Sequence, residues 1–277
     1  MTVVVTVKIN DGIVLAADSA VSFFDPATGN PLKIYSHANK VFNLVKGLPI
    51  GVMVWGVGGI GSASIATITK DLRKRLAGED KNHLGWKLPD SFTMEFVAQR
   101  FREYFFEERF KSEYQLQAPK SYFLGCKICG YSTDAGLPEV WDVKIVGDKC
   151  DPPQLTQTTD WFGPRWDGEY EALDRLILGM GTKTRDFLKQ KGLNEQEVDN
   201  AISEIISALS VPVVMAAMPI QDAIDLATFM VETTIKFVRF NFRAETVGGP
   251  IEIAAITKHE GFKWIRRKFF FNEELNP

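Results

Sequence analysis

Thr2 is the residue with the clearest chemical potential. It directly follows the initiator methionine, and a small second residue favours removal of that methionine. Removal of Met1 would leave one residue carrying both a hydroxyl and a free α-amine. Such a threonine can be nucleophile and base together. Its amine has a reference pKa of about 7.7–8.0, so part of it is neutral near neutral pH. Holding both groups on one residue removes most of the cost of orienting them. The β-branch stiffens χ1 and helps to fix the hydroxyl. Chains that start Met-Thr are common, so the dipeptide alone is a weak motif.

Other chemistries have less support. Cys126 and Cys129 form a Cys-Lys-Ile-Cys pair, but Cys150 stands alone. A strand through this region would put Cys126 and Cys129 on opposite faces, so all three read as packing residues. His37, His83 and His259 are scattered, and none adjoins a Ser or Cys motif. The glycines of residues 56–61 lack the order of a phosphate-binding loop. No cofactor and no metal is expected.

The elements that must position Thr2 follow from the pattern. Residues 2–9 and 13–18 read as a hairpin around Asp11-Gly12. Residues 41–45 and 50–55 read as a second hairpin. Its run Ile50-Gly51-Val52-Met53-Val54-Trp55 is apolar throughout, as in a strand covered on both faces. A helix is expected over 62–76, with Ile65, Ile68, Leu72 and Leu76 on one face and Gly78 as a stop. Lys70, Arg73, Lys74 and Arg75 read as its solvated face. A second helix opens at Pro89-Asp90-Ser91 and runs to about Phe110, with an aromatic stripe suited to a helix–helix core.

Residues 121–131 and 140–146 make another expected hairpin. Residues 148–168, rich in Asp, Pro, Thr and Trp, show no period and read as a long loop. Helices are expected near 169–178, 184–191, 195–209 and 220–240, and strands over 251–257 and 262–266. The third of those helices carries Val198, Ile202, Ile205 and Leu209 along one stripe. Segregated runs of strand and helix point to an α+β fold built of layers. Nothing resembles a linker or a repeat, so residues 1–277 read as a single domain.

Hydrophobic residues make up 45 % of the chain and charged ones 24 %, as in ordinary globular proteins. A net charge of −3 argues against nucleic acid, which favours a basic footprint. The 20 phenylalanines suit a thick core. No signal peptide is evident, and no apolar run reaches the ~18 residues of a membrane span. Three cysteines, an odd number in a long chain, suit a reducing cytoplasm.

Four stretches carry a family resemblance in order and spacing. They are Thr2 before an apolar strand, Ala16-Ala17-Asp18-Ser19, Asn39-Lys40-Val41-Phe42 and Val54-Trp55-Gly56-Val57-Gly58-Gly59. A late segment, Val247-Gly248-Gly249-Pro250-Ile251-Glu252-Ile253, follows a helical stretch and agrees. The chain resembles the proteasome β-subunit and HslV family of N-terminal nucleophile (threonine) hydrolases. In that family an acidic residue lies sixteen positions after the catalytic threonine, as Asp18 does after Thr2.

The resemblance implies a four-layer αββα sandwich and a threonine peptidase or amidohydrolase that forms an acyl-enzyme at Thr2. It implies that Lys40 lies beside the nucleophile, that Asp18 orients Lys40, and that the Gly56 N–H stabilises the oxyanion. Lys33 is the rival lysine; Val41-Phe42 after Lys40 favours the latter. Val21, Val54 and Gly58 would line an apolar specificity pocket. Peptides or unfolded proteins would be the substrates. A homo-oligomeric ring or stacked assembly, served by an ATP-dependent unfoldase, would be the setting.

Departures are present. An insertion of about six residues, centred on 24–31, has the composition of a surface loop. Gly179-Met180-Gly181 replaces Gly-Ser-Gly, Val247 replaces a serine, and Ala244 replaces an aspartate. These changes remove the usual hydrogen bonds to the terminal amine unless Thr246 or Glu245 substitutes. They leave open a non-catalytic structural subunit of the same fold.

Overall fold

The structure is a computed structural model that describes residues 2–25, 28 and 31–268. Met1 and four residues of the expected surface loop (Pro26, Ala27, Gly29 and Asn30) lie outside the described residues. In chain order the first half comprises β1 (Val3–Ile9), β2 (Gly12–Ala17), β3 (Val21–Phe24), β4 (Pro31–Tyr35), β5 (Val41–Asn43), β6 (Ile50–Gly56), β7 (Gly59–Ile60), β8 (Ala63–Ser64), α1 (Ile65–Leu76) and α2 (Met94–Arg102). The second half comprises β9 (Phe123–Gly130), β10 (Glu139–Val146), β11 (Lys149–Cys150), β12 (Gln154–Gln157), β13 (Gly163–Gly168), α3 (Glu171–Leu173), α4 (Thr184–Gln190), α5 (Glu195–Leu209), α6 (Ile220–Arg239), β14 (Glu252–Thr257) and β15 (Gly261–Arg266).

The strands make several antiparallel sheets. One runs β13-β1-β2-β14-β15, and another runs β11-β10-β9-β6-β5 with β12 also on β10. The opening hairpin is the centre of the first. β1 pairs with β2 so that Val4 faces Ala17 and Ile9 faces Gly12. Gly12 is required by close packing: a Cβ there would lie 2.4 Å from the Ile256 carbonyl oxygen.

Three apolar clusters hold the elements together. Val3, Val5 and Val7 point to one side of β1 and pack with Leu173, Ala223, Ala227 and Met230 from α3 and α6. Val4 points to the other side, where Leu15 and Ile256 meet Val41, Met53, Trp55 and Cys129 of the second sheet. The far face of that sheet, with Val52, Val54 and Cys126, packs on Ile68 and Leu72 of α1 and on Val97 and Phe101 of α2. Period-two alternation therefore sends successive residues of one strand into different cores. Cys126 and Cys129 fall on opposite faces of β9, as spacing dictates.

Several expectations need correction. Residues 148–168 are not a structureless loop: they contain β11, β12 and β13, and β13 pairs with β1 along six residues. β13 reads Gly-Pro-Arg-Trp-Asp-Gly, an edge strand whose stability comes from its remote partner rather than from local pattern. The aromatic helix packs chiefly on β9 and β10 and also meets α1 in the same apolar cluster, so a helix–helix core is only part of its packing. It is α-helical to Arg102 and then winds more widely, as a π-helix, over Glu103–Lys111. Along it Phe101 stacks on Phe105 and Phe106 on Phe110. Arg75 is not part of a solvated face. It pairs with Glu108 at 2.6 Å and lies over the rings of Trp86 and Tyr104. On α5 only Val198 of the expected stripe is buried, and Leu209 is exposed. β3 and β4 pair as a hairpin that flanks the insertion read as a surface loop, four residues of which lie outside the described residues. Among the described residues no helix is long and apolar enough to cross a membrane.

Candidate active site

Asp18 leaves the end of β2 and is completely buried. Its Oδ1 accepts the Val3 N–H at 3.0 Å and the Lys40 ammonium at 2.6 Å. Its Oδ2 accepts the N–H groups of Ala20 and Gly248, each at 3.0 Å. Four donors offset the hydration that a buried carboxylate loses.

Lys40 enters the same place from the segment before β5. Its backbone is held on both sides: the N–H donates to Glu252 Oε2 at 3.2 Å, and the carbonyl accepts from Val54 at 2.9 Å. Its side chain is only 6 % exposed. Burial lowers its proton affinity, and the attraction of Asp18 does not fully restore it. The Lys268 ammonium pushes in the same direction as burial, while Glu252 opposes it. The net result is a lysine that releases its proton more readily than usual.

Thr2 is 4 % exposed. Its carbonyl accepts the Glu169 N–H at 2.7 Å, which fixes the start of β1 against the end of β13. Gly168 makes that approach possible. It sits at φ +90°, and a Cβ there would lie 1.9 Å from the Thr2 carbonyl oxygen.

Thr2 and Lys40 line one cavity of about 350 Å³, together with Gly56, Val21, Val54 and Gly58. The volume is at the small end of the usual range for ligand clefts. Gly56 closes β6 at φ +99°, and a Cβ there would lie 2.2 Å from the Phe123 carbonyl oxygen. Asp18 stands behind Lys40. The four residues singled out for chemistry thus gather at one place. Lys33 does not join them: it is exposed on β4, 5.6 Å from the centre of the Tyr35 ring.

The departures fall elsewhere. Val247 is buried in the apolar cluster with Val3 and Val5. Glu245 and Ala244 are exposed, Met180 is half-buried, and none of the three lines the cavity. Thr246 Oγ1 is buried without a hydrogen-bond partner.

Sequence reasoning missed part of the site. Ser19, Gly248 and Glu252 occur within the stretches that suggested the site, but no role was legible for them. Lys268 had no signal at all. Its ammonium lies 3.4 Å from Glu252 and 2.6 Å from the Ser19 hydroxyl.

The fold is mixed α/β, with antiparallel sheets around a buried threonine, lysine and aspartate. The chain matches no protein-family model and no curated protein. It is similar in fold to Anbu (ancestral beta-subunit) from Yersinia bercovieri, with TM-score 0.51 and 13 % identity, over 96 % of this chain and 88 % of that one. It is similar to the subunit in the helical assembly of the Anbu complex from Pseudomonas aeruginosa, with TM-score 0.52 and 13 % identity, over 99 % and 90 %. An Anbu (Gly-1) mutant from Hyphomicrobium sp. strain MC1 gives TM-score 0.53 and 16 % identity, over 97 % and 86 %.

These findings correct the family resemblance. The likeness is to Anbu proteins and extends to fold alone, and no match assigns the chain to the proteasome β-subunits or to HslV. At this distance short motifs of the kind quoted, each a few residues long, do not separate one branch of a fold from another.

Proposed function

We propose that the chain, once Thr2 is its terminal residue, is a threonine-type peptidase or amidohydrolase. One observation carries the reading: a buried Lys40–Asp18 pair, 2.6 Å apart, with Lys40 and Thr2 on the wall of one cavity. Thr2 Oγ attacks a peptide carbonyl while the Thr2 α-amine takes its proton. The Lys40 charge lowers the proton affinity of neighbouring groups, and Asp18 holds that charge in place. The Gly56 N–H donates to the oxygen that becomes negative. Collapse of the tetrahedral intermediate breaks the C–N bond. The departing amine takes a proton from the Thr2 ammonium, leaving an ester on Oγ. Water then adds to that ester and releases the acid. Val21, Val54 and Gly58 favour an apolar side chain next to the scissile bond.

The finer architecture belongs to the same proposal. Residues 1–277 form one domain, and the two large sheets with their flanking helices form a four-layer αββα sandwich of the N-terminal nucleophile hydrolase type. The three clusters between layers support this. Assembly into a homo-oligomer is supported by exposed Phe187, Leu209, Val211 and Met215 around α4 and α5. Unfolded protein delivered by an ATP-dependent unfoldase completes the reading. The three free, buried cysteines suit a reducing cytoplasm.

A second reading is a non-catalytic subunit. Val247 favours it, because an apolar side chain stands where a polar partner for the terminal amine was expected. The test is hydrolysis of fluorogenic peptides by protein whose intact mass shows that Met1 is absent. The peptidase reading expects turnover that Thr2→Ala abolishes. Equal rates for the two proteins support the non-catalytic subunit instead.

A further inference from the structure

A second buried ammonium lies beside the site, and the proposed chemistry leaves it without a task. Lys268 follows β15 by two residues, and its side chain is 5 % exposed. Its Nζ donates to the Ser19 hydroxyl at 2.6 Å and to the Ala38 carbonyl, and it lies 3.4 Å from Glu252 Oε2. An ammonium has three hydrogens to give, and three acceptors converge on this one.

Each acceptor belongs to a different segment that meets Lys40. Ser19 is the neighbour of Asp18. Ala38 lies two residues before Lys40, and its N–H donates to the Ser19 carbonyl at 2.9 Å. Glu252 opens β14, and the oxygen that faces Lys268 also accepts the Lys40 N–H. Ser19 is itself tied to the loop before β14, through its N–H to Gly248 at 2.9 Å and its hydroxyl to the Pro250 carbonyl. A lysine is almost never this buried without a reason to hold several groups at once.

We infer that Lys268 is a positioning residue: it ties Ser19, Ala38 and Glu252 into one unit, so that Lys40 is presented to Thr2 from a fixed backbone. The inference rests on the reading of Thr2 as a nucleophile. It makes Lys268 part of the site, although Lys268 does not itself line the cavity. The charged groups facing Lys40 are then Asp18, Glu252 and Lys268. Removing Lys268 takes away a repelling charge and leaves Glu252 without its partner. Both changes raise the proton affinity of Lys40.

The test uses the full chain with Lys268→Met, which keeps the apolar stem to within one atom and removes the charge and donors. Amide exchange over residues 38–40 should quicken by about tenfold or more, with β1 and β2 unchanged. The Lys40 Cε signal in 13C-lysine NMR should titrate at higher pH than in the wild type. The rate at which a β-lactone acylates Thr2 should fall by about tenfold. Unchanged exchange over 38–40, or an unmoved Lys40 titration, overturns the inference. So does acylation at the wild-type rate when the other two have changed. If wild-type protein lacking Met1 is not acylated at all, the reading of Thr2 fails. Exchange and titration then decide on Lys268 by themselves. Should Lys268→Met not fold, Glu252→Gln replaces it. That variant should quicken the same amides and move the Lys40 titration to lower pH, and no change in either overturns the inference.

Discussion

Among the described residues, the buried lysine–aspartate clusters at Lys127 and Lys40 are built differently. Lys127 on β9 is 2.9 and 3.2 Å from the two carboxylate oxygens of Asp142 and 2.8 Å from Asp167. It also lies 5.3 Å from the centre of the Trp55 ring. Burial pulls its proton affinity down, but Asp142 and Asp167 more than offset this and hold it above its ordinary value. Lys40 has one carboxylate at contact distance, a second lysine nearby, and an affinity below the ordinary value. Each cluster borders a cavity, of about 410 Å³ at Lys127 and about 350 Å³ at Lys40. A cavity with a buried ion pair is therefore not by itself a reactive site. Saturation by two carboxylates makes a lysine a brace. In the proposed chemistry, partial neutralisation leaves the Lys40 charge free to act on Thr2. β13 connects the two, since Asp167 reaches Lys127 and the adjacent Gly168 accommodates Thr2.

The contrast is sharpened by substitution. Lys40→Met should slow β-lactone acylation of Thr2 by about 10²–10³-fold, the usual span for losing one preorganised electrostatic contact at the reacting groups. Lys127→Met should leave the rate of the folded protein within about threefold, as expected for a change away from the reacting groups. Urea unfolding should show the opposite order. Lys127→Met should cost about 3–5 kcal/mol, because Asp142 loses its buried cation and is left facing Asp167 with only the half-exposed Lys144 at 3.1 Å and the Thr156 hydroxyl as partners. Lys40→Met should cost about 1–3 kcal/mol, because Asp18 keeps the N–H donors of Val3, Ala20 and Gly248. Equal costs would remove the distinction drawn here.

Gly168→Ala tests the link between the clusters. A methyl group cannot fit against the Thr2 carbonyl at positive φ, so a loss of about 2–3 kcal/mol in urea unfolding is expected. A wild-type midpoint would show that β13 does not hold Thr2 as described.

The smallest effect is in pH dependence. Lys127 has its folded value raised above 10.5, so its contribution to stability is complete below that pH and is lost as pH climbs through the folded value. Lys40 has its folded value lowered below 10.5, so the unfolded chain binds the extra proton and stability from this group rises as pH approaches 10.5. Urea midpoints against pH, compared between wild type and each Met variant, should separate the two signs. The same sign for both would contradict the contrast.

Much of this was legible in the chain, and the limits are physical. The opening hairpin announced itself through Asp11-Gly12 and two apolar runs, because a tight turn is a local signal. Lys40 could be preferred over Lys33 from its neighbours Val41 and Phe42, which are buried, whereas the strand around Lys33 is exposed. β13 was illegible, because Gly163, Pro164 and Gly168 speak against a strand and its stability comes from β1, some 160 residues away in sequence. Lys268 and Glu252 were illegible as a pair for a similar reason. Nothing near either residue reports a partner brought close only by tertiary folding. The family assignment overreached because few-residue motifs carry a fold further than they carry a branch of it.

The central claim is that Thr2 uses its hydroxyl as nucleophile and its own amine as base, with Lys40 beside them. The most direct measurement is peptide mapping by mass spectrometry after treating Met1-free protein with a peptide epoxyketone. The warhead needs an alcohol and an amine on the same residue to close a ring. The expected result is one adduct, on Thr2, present in wild type and Lys127→Met and absent in Lys40→Met. No adduct on a terminus shown to be Thr2, or an equal yield in Lys40→Met, would contradict the account.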